Sequence, residues 1–464
     1  MGPRRPASTA AVFPSLAAAL LLCTSAPLPA QSDEDKAIDA LAKAAKLASK
    51  GKYQQAVSTY KAIAKKYSHT EAGLLAFQRS QPTAFIGWGD VERNGPSANR
   101  VDIVIMGDGF RLGDQNDFDD IAKTIPKLFK NHKMLGEYYS YHNFLRANLT
   151  SKDQGVSGYG RTKDTALGGR VSGKVQNQVG VDAGKARRWL KEVPENDRLA
   201  ICIVKAGSKG TGSPGIAAIG GRSDDTVIHE WGHAFANLAD EYSSFTGHRG
   251  AARNAINISI SKDPKRAPWA HWIEARCPGV GMYRGGDGRI KGVWRPTASN
   301  CAMQGGVIFC PVCREAMILE IYRYVDPIDL FSPNDKPDKA LTGRAPHKFK
   351  VQSMQPTTHG LDVSWWVLPA NNAIKPTRRG PFPDRRRRGR LQPINQKPTK
   401  TIRGRSRHAF TLFPKDMQPG RYQVVCRVRD KAKPSGQAWA WVLKDPHQLL
   451  ESERAWWVEV PAGR

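Results

Sequence analysis

The chain has 464 residues and a formal net charge of +29 at pH 7. That length predicts two to four folding units rather than one, and 40% hydrophobic residues exclude a disordered polyelectrolyte. The excess of Lys and Arg admits nucleic acid, an anionic membrane or an acidic polymer as a partner, but its uneven distribution favours a passive basic exterior.

The first thirty residues read as an export signal. Arg4 and Arg5 give a positive start, residues 10–22 an apolar run, and residues 26–30 a small-residue exit. Cleavage is expected after Ala30. Cys23 invites a lipoprotein reading, but Leu22 is too large for the position before a lipidated cysteine. No later apolar run is long enough to span a bilayer. A secreted or periplasmic chain is therefore expected. Cys202, Cys277, Cys301, Cys310, Cys313 and Cys426 remain after cleavage, and an oxidising compartment favours disulfides among them.

Residues 31–80 carry two helical stripes. Ile38, Leu41, Ala45 and Ala48 form one; Tyr53, Ala56, Val57, Tyr60, Ile63, Ala64 and Tyr67 form the other, after a break at Gly51. The pair resembles one tetratricopeptide unit, and a plain helical hairpin fits as well. A lone unit cannot bury its own face, so it is expected to pack on the next domain or on a partner.

Residues 95–345 read as one α/β unit. VDIVIMGDGF starts as a fully buried strand and ends in a Gly-Asp-Gly turn, with Asp108 read as structural turn chemistry. A helix bearing Phe118, Ile121, Ile125 and Phe129 follows. LAICIV, residues 199–204, is a second buried strand.

HEWGHAFANLADEY, residues 229–242, carries the chemistry. His229 and His233 are four apart, so on a helix both imidazoles share one face and can share one metal ion. Glu230 projects beside them. This is the H-E-x-x-H pattern of zinc-dependent peptidases. The zinc ion acts as a Lewis acid, and the glutamate takes the proton of the attacking water. Ser223, Asp224 and Asp225 are N-cap candidates, and Val227, Ile228, Trp231 and Phe235 supply an apolar surface. A catalytic zinc takes three protein ligands and keeps one position open. On a straight helix Asp240 would lie about 10 Å beyond His233, at ~1.5 Å per residue. The helix must therefore turn back early, and Asn237 is the residue that enters the left-handed region most readily. That turn makes Asp240 the expected third ligand, Glu241 the second choice and Glu274 the third. Tyr242 is read as a buried residue fixing the turn, with an oxyanion role as the alternative.

Met303 is either a core methionine or a methionine turn beneath the zinc site. Cys277, Cys301, Cys310 and Cys313 form a compact group, either two disulfides or a structural tetrathiolate zinc site.

Residues 346–464 alternate with period two in HGLDVSWWVLP, HAFTLFP, GRYQVVCRVRD, AWAWVLK and RAWWVEV, which predicts an immunoglobulin-like β-sandwich. Residues 375–407 form a basic, Pro-rich insertion that includes the arginine run 385–388. It is expected to be a charged loop, with contact to a polyanion as the alternative.

HEWGHAFANLADEY, VDIVIMGDGF and CAMQGGVIFCPVC together resemble the IgA-peptidase family (M64) of zinc metallopeptidases. The likeness runs from about Arg100 to Tyr324. It implies a metzincin-like core, zinc ligands His229 and His233, catalytic Glu230, and a protein or peptide substrate. The turn departs from the metzincin pattern by one extra residue and by lacking glycine, so Glu241 and Glu274 stay open beside Asp240 as third ligand. The whole chain is thus expected to be multidomain: helical hairpin, metallopeptidase core, then sandwich. The competing reading is an adhesin or scaffold with an inactive core, or a polyanion-binding protein.

Overall fold

The computed structural model describes residues 31–173, 175–221, 224–243, 251–252, 254–334, 339–375, 390–404 and 407–462. The export signal with Cys23, the cap candidate Ser223 and about half of the basic insertion, including 385–388, lie outside the described residues. Among the described residues no helix is long and apolar enough to cross a membrane.

Three helices open the chain: α1 (Asp33–Ser49), α2 (Tyr53–Lys66) and α3 (Glu71–Arg79). The expected hairpin thus gains a third member. Ser32 and Asp35 close α1 with a reciprocal capping box, and Thr70 caps α3. The first stripe is corrected by one position: Ile38 is exposed, and α1 buries Ala37, Ala44 and Ala48. These join Tyr53, Ala56, Tyr60 and Ile63 of the second stripe in one cluster with Ala84 and Ile86 of the next element. The Tyr60 hydroxyl donates to the Ile86 carbonyl at 3.1 Å. The helical face is therefore covered by the neighbouring sheet.

That sheet is built from β1 (Ala84–Glu92), β2 (Val101–Asp108) and, after α4 (Gln115–Ala122), α5 (Thr124–Asn131) and α6 (Lys133–Glu137), from β3 (His142–Thr150). A small ribbon of β4 (Arg170–Val171) and β5 (Val179–Gly180) and helix α7 (Ala183–Trp189) follow. The sheet is then completed by β6 (Leu199–Val204), β7 (Thr211–Ser213) and β8 (Ile216–Gly220). Strand order is β1-β3-β2-β6-β8-β7. The central strands are parallel, and β1 and β7 are antiparallel edges. β2 and β6 are buried throughout, as near-continuous apolar strands of a parallel sheet must be. Ile103, Ile105, Ile201 and Ile203 face Phe118, Phe129 and Trp231 on one side. Val104, Met106, Ala200 and Cys202 face Leu167, Ala186 and Leu190 on the other. The sheet begins at Ala84, ahead of the boundary expected at residue 95.

Helix α8 (Asp224–Ala236) lies against β8 and β7. After it come α9 (Ala270–Glu274), the hairpin β9 (Tyr283–Gly286) and β10 (Arg289–Arg295), and α10 (Pro311–Tyr324).

The C-terminal part has two sheets. β11 (Ile328–Ser332), β13 (His347–Ser353) and β16 (Arg407–Leu412) form one. β12 (Leu341–Thr342), β18 (Glu451–Val460), β17 (Gly420–Arg429), β14 (Asp362–Pro369) and β15 (Lys400–Ile402) form the other. Trp365 stacks on Phe410 at 5.4 Å, and Phe349 meets Trp456 at 5.2 Å, so the sheets face each other across aromatic rings. β11 pairs with β13, which draws residues 328–332 into this part, ahead of the boundary expected at 346. AWAWVLK is not a strand. Its Trp441 is buried in a loop, with the Arg314 guanidinium 4.7 Å from the ring. An alternation of aromatic and small residues arises there without a partner strand.

Candidate metal centre

The helix α8 ends at Ala236, and Asn237 takes φ +53°. Its amide donates to the His233 carbonyl at 3.1 Å, and the Leu238 amide donates to the Gly232 carbonyl at 3.2 Å. The reversal sends residues 238–240 back along the helix. The Leu238 carbonyl then accepts from His233 Nδ1 at 2.6 Å. His229 Nδ1 donates to the Ala302 carbonyl at 2.8 Å. With both Nδ1 atoms engaged as donors, both Nε2 atoms are left as lone-pair donors facing inward.

Asp240 completes the group. Its Oδ1 lies 3.1 Å from His229 Nε2 and 3.1 Å from His233 Nε2, and the two Nε2 atoms are 3.1 Å apart. The donor set fits one small divalent cation: a tetrahedron with bonds of about 2.0–2.1 Å has edges of about 3.3 Å, with the fourth corner free. Without a cation the three groups share protons. Burial works against charge on His229, but the hydrogen bond with Asp240 outweighs it and lifts the imidazole to about 9. His233 is raised by the same competition. Burial would push Asp240 up, yet its two histidine partners hold it far below the usual carboxylate range.

Glu230 is 6% exposed, next to His229 on the helix. Burial raises its carboxyl, while the charges of His229 and His233 pull it down. Tyr242 is 41% exposed and stacks on His229 with centroids 6.2 Å apart, so the expectation of a buried tyrosine is corrected. Glu274 is exposed at the end of α9 and is not part of the group. Glu241 points away from it into the protein, among the cysteines described below. Asp108 is fully buried and accepts from the Leu167 and Gly169 amides at 2.7 Å, holding a loop.

Several supports come from residues that no local pattern marks. A Cβ on Gly212 would lie 2.3 Å from His233 Cβ, and one on Gly210 would lie 2.4 Å from Glu230 Cγ, so β7 runs hard against the face of α8 that bears Glu230 and His233. A Cβ on Gly232 would lie 2.6 Å from Met303 Sδ, which places fully buried Met303 directly on the helix. Asn257 clamps the returning loop: its Oδ1 accepts from the Ala239 amide at 2.9 Å, and its Nδ2 donates to the Ala239 carbonyl at 2.8 Å. The H-E-x-x-H spacing finds the helix, but Ala302 and Asn257 are contacts that only the tertiary fold creates.

A comparison with curated proteins gave no match. The model of the family IgA Peptidase M64 matches residues 90–279, a stretch that runs from β1 through α8 and Asp240 to just past α9, and stops short of Cys301. The matched stretch, which holds every member of the His229–His233–Asp240 group, is thus similar to the IgA peptidase M64 family.

Proposed function

We propose that the chain is an exported zinc-dependent endopeptidase in which His229, His233 and Asp240 hold the metal and Glu230 is the general base. The helices, doubly covered sheet and two facing C-terminal sheets support a tetratricopeptide-like, metzincin-like and immunoglobulin-like division. The observation that carries the functional reading is the convergence of two imidazole nitrogens and one carboxylate oxygen within 3.1 Å of one another. Each imidazole is fixed from behind by a main-chain carbonyl.

Zinc bound there supplies a Lewis acid and makes water easier to deprotonate. Glu230 takes the proton from water as it adds to the peptide carbonyl and delivers it to the leaving amine. Burial raises its affinity for a proton, which favours its taking one from water. The carbonyls of Ala302 and Leu238 keep the imidazoles in the tautomer that offers Nε2. Tyr242, beside His229 and open to solvent, is placed to donate to a substrate oxygen as negative charge builds on it.

The test is Glu230→Ala in purified mature protein, assayed on a peptide library and analysed for metal. The variant should keep its fold and its metal and lose turnover by about 10²-fold or more. Turnover at the wild-type level would sink the mechanism. Wild-type protein that holds metal but cleaves nothing would leave the scaffold reading in its place.

A further inference from the structure

The second half of the Asp240-Glu241 pair is buried where a carboxylate has no ordinary reason to be. Glu241 is fully buried. Its Oε1 lies 2.9 Å from Cys313 Sγ, 3.5 Å from Cys301 Sγ and 3.6 Å from Cys310 Sγ. Among the described residues its other partners are Asn257 Nδ2 at 3.1 Å and Thr297 Oγ1 at 3.4 Å, neither of them a cation. A buried carboxylate without a balancing positive charge is destabilising by several kcal/mol.

We propose that Glu241, Cys301, Cys310 and Cys313 bind a second metal ion, zinc by its chemistry, in a closed structural site behind the first. The four ligand atoms all lie within 4.8 Å of one another, and all four residues are buried. A zinc ion with Zn–S bonds of about 2.3 Å and a Zn–O bond of about 2.1 Å needs ligand separations of about 3.5–3.8 Å in tetrahedral geometry. Three thiolates and one hard oxygen suit zinc over calcium or magnesium. The thiolates have their own support: the Cys310 amide donates to Cys301 Sγ and the Cys313 amide to Cys310 Sγ, each at 3.5 Å. Cys310 also caps the N-terminus of α10, where the helix dipole favours a negative sulfur. Asn257 and Thr297 orient the carboxylate as an outer shell.

This corrects the cysteine expectation in two ways. All six described cysteines are free thiols. Cys277 is not a member of the cluster: its thiol donates to the Pro278 carbonyl at 4.0 Å, and the fourth place is held by Glu241. A disulfide between any two of the three would leave the third thiol and the carboxylate unbalanced.

The site binds together two segments that serve the first metal group. The Glu241 amide donates to the Met303 carbonyl at 2.7 Å, and the Ala302 carbonyl orients His229. A metal tying Glu241 to Cys301, Cys310 and Cys313 therefore fixes Asp240 relative to His229. Only this consequence rests on the peptidase reading; the site itself does not.

The experiment measures zinc per chain by elemental analysis and then replaces zinc with cobalt(II). Wild-type protein should hold two ions, and the cobalt form should show a thiolate-to-cobalt charge-transfer band. His229→Ala/His233→Ala should hold one ion and keep that band. Cys310→Ser/Cys313→Ser should lose the band. Should that variant fail to fold, Glu241→Gln keeps the thiols and should release its ion to a chelator about 10- to 100-fold faster. A His229→Ala/His233→Ala protein with neither metal nor band, or a disulfide mapped between any two of the three cysteines, would overturn the proposal. If the band persists while wild-type protein cleaves no peptide, the peptidase reading fails and the second site stands.

Discussion

Asp240 shows how much one side chain can be asked to do. It sits seven residues past His233, a distance that a straight helix would put out of reach. Asn237 at φ +53° supplies the reversal, at a cost that a β-branched residue would meet more steeply. The Asp240 carboxylate is then the anion between two imidazoles, and those histidines keep it ionised to low pH. Asp240→Asn retains the size of the side chain and removes the charge. In that variant zinc should fall from two ions to one per chain, and peptide hydrolysis should fall with it. The cobalt–thiolate band should survive, because Glu241 and the three cysteines are untouched. Loss of both ions would show that the two sites cannot be separated at Asp240, and retention of both would move the third ligand elsewhere.

At the scale of elements, the contact between β7 and α8 sets where the helix bearing His229, Glu230 and His233 can sit. Gly212 faces His233 Cβ and the Glu230 carbonyl, so an added methyl would meet a Cβ and main chain rather than a flexible tip. Gly212→Ala should push the edge strand and the helix apart, with a stability loss of about 1–3 kcal/mol. Turnover should fall with kcat more than KM, because the ligands shift while the rest of the molecule holds. Unchanged melting temperature and kcat would show that the contact relaxes freely. The pattern of what was legible follows the same division. His229, Glu230 and His233 could be read because their relation is local and set by helical period. The reversal at Asn237 could be read because few residues tolerate it. The Gly212 contact could not, since it joins a strand and a helix through close approach that no spacing encodes. Cys310-x-x-Cys313 has the spacing of a ligand pair, but read from sequence it groups with Cys277 and Cys301, as disulfides or a tetrathiolate site. Glu241, about seventy residues upstream, is brought there only by the loop that also delivers Asp240. AWAWVLK misled because period-two aromatics are also produced by a loop packed on Arg314.

At the scale of the whole molecule, the core and the C-terminal sheets share one hydrophobic cluster, from Val101 through Tyr322 to Trp365 and Val460. Buried in that junction is a charged relay. His359 Nδ1 lies 2.7 Å from Glu137 Oε1 on α6, and its Nε2 lies 2.8 Å from Asp430 Oδ1 just after β17. Tyr138 and Tyr322 donate to the other Asp430 oxygen at 3.0 and 2.7 Å. Thr358 donates twice to Glu137, from its amide and its hydroxyl, each at 2.9 Å. Burial alone would keep His359 neutral, but its bonds to Asp430 and Glu137 outweigh that and lift it to about 9. Burial likewise opposes charge on Glu137, and its bonds to His359 and Thr358 outweigh it and lower its pKa. The folded value for His359 is above the unfolded one of about 6.5, so the stability it contributes is complete below pH ~6.5 and drains away as pH rises through about 9. Glu137 has the opposite sign: its share is present above its ordinary value of 4.5 and is lost as pH falls through its lower folded value. The junction should therefore be firmest between about pH 4.5 and 6.5. His359→Gln, which removes the cation from between two buried carboxylates, should destabilise the protein by about 3–5 kcal/mol in that window. The comparison to make is the melting temperature of wild type minus that of the variant, from pH 6 to about pH 10, so that other titrating groups cancel. The difference should shrink as pH passes about 9. A difference that stays constant across that range would mean that His359 is not charged in the folded protein and that the apolar cluster alone holds the two parts together.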